Sequence, residues 1–377
     1  MIRTEFFYDL LAENGISFFT GVPDSLLKDL CAYVTDHSDE RRHIIAANEG
    51  AAVGIAAGYH LATGGIPLVY MQNSGLGNTV NPLLSLADEQ VYAIPMLLVI
   101  GWRGEPGVKD EPQHKKQGLV TLELLDAMRI PYVVLPAEEQ AAAAALTDLI
   151  GRCRTSSRPH AVVIRKGTFG KYELRKAARN ENVLSREDAL KTVVDNLELD
   201  DVVVSTTGKL SRELFEYRER LGQGHDRDFL TVGSMGHCSS IALGIALEKP
   251  GRSVYCLDGD GAFLMHMGAV SNVGVLRPAN YRHIVFNNGA HESVGAQPTV
   301  GFRVDMPAVA KACGYAAAHT AETKEEIFAA MRRMRTAPGP ALLEIKVGIN
   351  SRDDLGRPTT TPAENKERFM KNLAPEV

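Results

Sequence analysis

Five cysteines in 377 residues are too few and too scattered to frame a fold. Cys31, Cys153, Cys238, Cys256 and Cys313 contain no Cys-x-x-Cys pair, so neither a disulfide scaffold nor a zinc knuckle is indicated. No apolar run approaches the ~18 residues of a bilayer span. The start, Met1-Ile2-Arg3-Thr4-Glu5, turns acidic at once and lacks a signal-peptide core. An excess of positive charge is also missing. Lysine plus arginine number 41 against 46 acidic residues, a net charge of -5, which argues against a general nucleic-acid binder. What is present, 45% apolar and 23% charged residues, is ordinary for a soluble globular enzyme. At about 150 residues per domain the length points to two domains, each able to bury its own core. The expectation is a cytoplasmic enzyme with no nucleic acid and no membrane among its partners.

Short β-branched runs alternate with helical patterns. Expected strands are 16–19, 68–71, 96–100, 132–135 and 161–164, with helices over 25–34, 49–62 and 138–150. This is the βα alternation of a doubly wound parallel sheet. Residues 166–185 are charged, lack apolar periodicity and read as a linker. A second α/β block follows, with strands over 202–205, 254–257, 283–286 and 341–347. Its helices are expected near 186–197, 238–247, 263–275 and 324–335. The expected domains are therefore 1–165 and 186–377, the latter ending in a polar tail. With Thr359-Thr360-Thr361 between prolines, that tail reads either as floppy or as an ordered binding segment.

The most informative stretch follows the strand Val254-Tyr255-Cys256-Leu257. Asp258-Gly259-Asp260-Gly261-Ala262-Phe263 runs into an apolar helical pattern. Glycines let backbone N–H groups approach an anion, and a helix N-terminus favours negative charge. Asp260 supplies a hard oxygen for Mg²⁺, which commonly bridges to phosphate. The next strand ends Phe286-Asn287-Asn288-Gly289-Ala290. Neighbouring strand ends of a parallel sheet open into one crevice. A lone Gly-Asp-Gly is often only a tight turn; paired with Asn-Asn at this distance it is specific. Rival motifs fail: Leu264 stands where a dinucleotide fingerprint needs glycine, Val203 where a P-loop needs its first glycine, and Gly295 where a zinc-protease helix needs its second histidine.

The pair resembles the thiamine diphosphate-binding motif. The resemblance implies Mg²⁺ ligands at Asp260, the Asn288 side chain and the Ala290 carbonyl, with Asn287 as the alternative asparagine. Gly259, Gly261 and Ala262 would line the diphosphate, and Thr207 and Gly208 would lie beside the thiazolium or diphosphate. Gly233-Ser234-Met235-Gly236-His237 resembles the turn whose apolar residue, Met235, props the bent cofactor with Ser234 alongside; by itself Met235 reads as an ordinary core methionine.

Thiamine chemistry also needs a carboxyl group against the pyrimidine ring, in apolar surroundings that raise its pKa. Glu49 stands alone in the small-residue run Ile44 to Gly58. By itself it reads as a helix N-terminal glutamate facing the dipole; with the metal motif it reads as the catalytic carboxylate. Asn73-Ser74-Gly75-Leu76-Gly77-Asn78 follows a strand and is expected to shape the pyrimidine pocket, Gly75 included. Asp24, in Gly21-Val22-Pro23-Asp24-Ser25, either relays protons or caps the following helix. His114 and His291 are the other candidate proton donors.

Two such blocks with no middle domain resemble the compact branch of thiamine-dependent decarboxylases. The strings 20–28, 104–114 and 354–362 are similar to the phosphonopyruvate decarboxylase family, close to the sulfopyruvate decarboxylases. The sulfonate enzymes are often split into two subunits, so a fused chain points to the phosphonate. One departure is Gly295-Ala296-Gln297-Pro298, where a second glycine is expected. The resemblance implies non-oxidative conversion of 3-phosphonopyruvate to 2-phosphonoacetaldehyde and CO₂ in phosphonate biosynthesis. It also implies a homo-oligomer with active sites at subunit interfaces. Anionic substrate demands cationic partners. Candidates are Arg103, Lys109, His114, Lys115 and Lys116 in a lid-like loop over 102–117, and Arg352, Arg357 and Lys366 in the tail.

Overall fold

The computed structural model describes residues 1–176 and 180–374. The described chain forms two compact units. The first comprises residues 1–176 with 291–298, the second residues 180–290 with 299–374. Part of the expected linker, residues 177–179, lies outside the described residues.

The first unit is a six-stranded sheet. Its strands are β1 (Phe19–Gly21), β2 (His43–Ile45), β3 (Leu68–Gln72), β4 (Leu97–Gly101), β5 (Tyr132–Val134) and β6 (His160–Ile164). The spatial order is β2-β1-β3-β4-β6-β5, and the pairings are parallel. Period-two alternation explains the two cores. Leu97 and Val99 of β4 join Leu68 and Tyr70 of β3 on one face. Leu98 and Ile100 join Val69 and Met71 on the other. Helices α1 (Thr4–Glu13), α2 (Lys28–His37), α3 (Glu49–Thr63), α4 (Leu76–Pro82), α5 (Pro112–Ala127) and α6 (Glu139–Ser156) supply the remaining apolar surface.

The second unit has β7 (Val202–Ser205), β8 (Asp228–Leu230), β9 (Val254–Gly259), β10 (Tyr281–Asn287), β11 (Ala317–Ala321) and β12 (Ala341–Lys346). Their order, β8-β7-β9-β10-β12-β11, repeats the topology of the first unit. In each sheet the chain winds outward in opposite directions from the first and third strands. That switch point is where loops diverge and leave a crevice at the carboxyl ends. The helices are α7 (Arg186–Asp195), α8 (Lys209–Arg220), α9 (Cys238–Glu248), α10 (Asp260–Met265), α11 (Ala269–Leu276), α12 (Met306–Cys313), α13 (Lys324–Thr336) and α14 (Pro362–Leu373).

Three expectations change. The helix over 263–275 is two helices, broken where His266 leaves the helical region at φ −130°, ψ 44°. The lid-like loop over 102–117 ends early, because Pro112 starts α5. The tail is ordered: Thr361 and Glu364 form a capping box and Phe369 is buried.

Candidate active site

In the first unit the segment after β3 gathers the predicted residues. Glu49 opens α3, whose N-cap Asn48 accepts from the Ala51 N–H at 2.8 Å. The Glu49 side chain is buried, and its carboxylate lies over Gly75, where a Cβ would come within 2.5 Å of Oε1. A side chain at 75 would therefore displace the carboxylate from this position. Asn78 donates its amide to Glu49 Oε2 at 2.7 Å. Three residues upstream of Gly75, Gln72 donates to Asp24 Oδ1 at 2.6 Å, and Ser74 donates to the Gln72 oxygen.

Asp24 is fully buried. Its Oδ2 accepts from the Leu26 N–H at 2.9 Å, an Asx turn ahead of α2; the N-cap itself is Leu27, which takes no side-chain cap. Burial pushes its carboxyl above the usual range, against the pull of Gln72, Leu26 and Arg103. His114 is buried with no partner at Nδ1, and burial with the Arg103 charge pushes it down to about 4. His291, half-buried, is also pushed down to about 4 by desolvation. Both imidazoles are therefore neutral at pH 7, whereas the Asp24 carboxyl has raised proton affinity.

Arg103 forks onto Asp110 and donates to Ser25 Oγ at 2.8 Å. Arg352 contacts Glu187, Glu216 and Asp354. Both arginines, offered by the sequence as substrate cations, are held in ion pairs. Lys109, Lys115, Lys116 and Lys366 are exposed.

In the second unit Thr207 and Gly208 follow β7, Gly259 ends β9, and Asp260 and Gly261 follow it, flanking the switch point. Ser234 and Gly236 both have positive φ, 51° and 84°, and hold half-buried Met235 in a turn beyond β8. Asp260 starts α10 and is buried. Its carboxylate accepts from Thr299 and from the Gly261 and Asn288 N–H groups, and burial pushes it up to about 6. Asn288 Oδ1 accepts from the Ala290 N–H at 3.1 Å. Asn288 and Ala290 share the turn after β10, and the Asn288 N–H bond brings that turn against Asp260 just after β9, an all-oxygen donor set suited to a hard cation. Ala262 is buried in the first turn of α10.

Asn287 donates its amide to the Gly301 carbonyl at 3.0 Å and to Glu344 Oε1 at 2.7 Å, while its Oδ1 accepts from the Gly289 N–H at 3.1 Å. A Cβ on Gly301 would lie 2.5 Å from Asn287 Oδ1 and 2.7 Å from Asp260 Oδ2, so both oxygens approach that glycine closely.

Three features go beyond the sequence expectations. Gln72 carries only a generic polar signal; Asn78 is expected in the pocket segment 73–78 but not as the partner of Glu49, and both contacts depend on how the chain after β3 folds. The third lies beneath the Asp260 motif, where the Cys238 and Cys256 sulfurs are 3.5 Å apart and His283 Nε2 lies 3.3 Å from Asp258 Oδ2. All four side chains are buried. Adjacent positions on β9 and β10 face each other here, a register that the sequence spacing alone does not reveal.

Residues 2–124 match the family model for the N-terminal TPP-binding domain of thiamine pyrophosphate enzymes. Residues 206–345 match the C-terminal TPP-binding domain of the same enzymes. The chain is 36% identical to phosphonopyruvate decarboxylase of Streptomyces viridochromogenes, over 94% of this chain and 91% of the relative. It is 34% identical to phosphonopyruvate decarboxylase of Streptomyces hygroscopicus, over 95% and 90%. Identity to sulfopyruvate decarboxylase of Methanosarcina acetivorans is 27%, over 97% and 96%. That last relative matches in a single chain. Fusion of the two blocks therefore does not separate phosphonate from sulfonate relatives, as the sequence reading supposed.

Proposed function

Because this chain belongs to the thiamine pyrophosphate enzyme family, in the branch of the phosphonopyruvate decarboxylases, we propose that it converts 3-phosphonopyruvate to 2-phosphonoacetaldehyde and CO₂. The observation that carries the substrate is the near full-length similarity, 36% and 34% to the phosphonate enzymes against 27% to the sulfonate enzyme.

Bound thiamine diphosphate supplies the electron sink for the pair left behind when CO₂ departs. The chain's own residues do the rest. Asp260, the Asn288 side chain and the Ala290 carbonyl would hold Mg²⁺, with the diphosphate at the N-terminus of α10. Thr207, Gly208, Ser234 and Met235 border the same crevice. Glu49 faces the aminopyrimidine. One proton must be added to the carbon that loses CO₂, and Asp24 is the donor favoured by its raised proton affinity and its place beside Gln72. The active unit is a homo-oligomer, with each site drawing Glu49 from one copy and Asp260 from another, in the cytoplasm.

Phosphorus NMR on purified protein with thiamine diphosphate, Mg²⁺ and phosphonopyruvate tests the substrate. Sulfopyruvate and pyruvate run in parallel, followed by CO₂ release. A new phosphonoacetaldehyde signal with slower turnover of the others is expected. Rapid CO₂ from sulfopyruvate with no phosphonate turnover would overturn the assignment while leaving the cofactor chemistry intact.

A further inference from the structure

We infer that Asn78 is a positioning residue for Glu49, fixing which carboxylate oxygen is presented to the cofactor; the inference rests on the thiamine reading above. The geometry is built by two close approaches. A Cβ on Gly75 would collide with the Glu49 carboxylate, and a Cβ on Gly50 would lie 2.9 Å from the Asn78 carbonyl oxygen. Both positions are glycine, so the turn that starts α4 can press against the first turn of α3. That contact sets the Asn78 amide 2.7 Å from Glu49 Oε2.

An amide N–H donated to a carboxylate is a charge-assisted hydrogen bond, shorter and stronger than a neutral one. It acts here at a side chain that is only 5% exposed, where alternative donors from water are scarce. One consequence follows. The terminal torsion of glutamate is broad and two-fold, and a donor on one oxygen selects one orientation. With Oε2 engaged by Asn78, Oε1 is the oxygen left to exchange a hydrogen bond with the aminopyrimidine. Asn78 thereby orients the group that drives cofactor activation, without touching substrate.

Asn78 itself is exposed and belongs to neither apolar core, so its replacement leaves the packing intact. This separates a positioning role from a structural one. Asn78→Asp keeps the shape but turns the donor into an acceptor; Asn78→Ala removes both.

The test uses the full chain loaded with thiamine diphosphate and Mg²⁺, without substrate. Two readouts are taken: exchange of the thiazolium C2 proton in deuterated buffer, quenched and read by proton NMR, and the near-ultraviolet circular dichroism of the aminopyrimidine tautomers. Cofactor affinity and melting temperature are measured on the same samples. Both variants are expected to slow C2 exchange by about ten- to a hundredfold, the effect of losing one hydrogen bond to a charged group. The imino-tautomer signal should weaken, while cofactor affinity and melting temperature stay near wild type. Wild-type exchange in both variants would overturn the inference. Slow exchange in Asn78→Ala with wild-type exchange in Asn78→Asp would also overturn it, by leaving only packing. Glu49→Gln is the control for the underlying reading. If it retains full exchange, the thiamine mechanism itself fails; if it loses exchange while the Asn78 variants do not, only the role of Asn78 fails.

Discussion

Gln72, the last residue of β3, and Gly75, in the turn that follows, stand three residues apart, yet one holds Asp24 by a 2.6 Å hydrogen bond and the other lies beneath the Glu49 carboxylate. A single strand end thus couples the candidate proton donor to the candidate activating carboxylate. The reason is topological. β1 and β3 are the switch-point neighbours, so the loops leaving them diverge around one crevice. Asp24 follows β1, and the loop after β3 reaches both it and α3.

That coupling makes Gln72 a lever on Asp24. The Gln72 amide favours the charged carboxylate, so Gln72→Leu should raise the proton affinity of Asp24 further. If Asp24 donates the proton, its competent form then survives to higher pH. The alkaline limb of the kcat profile should move up by about one pH unit, the equivalent of one charged hydrogen bond. A limb that stays in place would reduce Asp24 to its contact with Leu26.

His114 makes an acid-stability prediction. Its folded form resists protonation until about 4, whereas the unfolded chain takes the proton below 6.5. A depressed histidine pKa means that stability is lost as pH falls through that window, by up to about 2 kcal/mol at pH 5. His114→Leu keeps an apolar volume in the buried site and removes the titration. Its melting temperature should fall less between pH 7 and pH 5 than that of the parent. Equal falls would mean that the imidazole is protonated in the folded protein.

The two asparagines at the end of β10 should separate cleanly. Asn288→Ala removes a proposed Mg²⁺ ligand from an otherwise intact turn, and should weaken Mg²⁺-dependent cofactor binding at least about tenfold with little change in melting temperature. Asn287→Ala strands the buried Glu344 and the Gly301 carbonyl, and should cost about 1–3 kcal/mol of stability. Titration calorimetry and thermal unfolding read the two effects. The reverse pattern would make Asn287 the ligand.

The large pattern was legible in the sequence because it is periodic. Buried parallel strands such as Leu97–Gly101 and His160–Ile164 read as continuous apolar runs, and Asp258 to Ala262 reads as a strand–turn–helix junction. Edge strands β2 and β8 are three residues long and each opens on a charged or polar residue, so no apolar run marks them. α5 was hidden because its start is polar, and Pro112 is a helix-start signal only once the backbone before it is known to be extended. The expected glycine near 296 has a physical basis. Ala296 sits at φ 54°, where a Cβ is strained by roughly 1–2 kcal/mol. The side-chain pairs Gln72–Asp24 and Asn78–Glu49 were not legible, since they join segments whose spacing in the chain sets no distance in space.

A mixing experiment addresses the proposed assembly. Glu49→Gln and Asp260→Ala should each abolish turnover, the first by removing the activating carboxylate and the second by removing the metal ligand. If every site takes Glu49 from one copy and Asp260 from another, a mixed dimer contains one wild-type site and one doubly altered site. After subunit exchange, equal amounts of the two inactive proteins give half mixed dimers and regain about a quarter of wild-type activity. Activity should return over the time course of exchange and saturate at that fraction. A mixture that exchanges subunits, shown by a mass-tagged copy, yet stays inactive would place both residues of each site in the same chain.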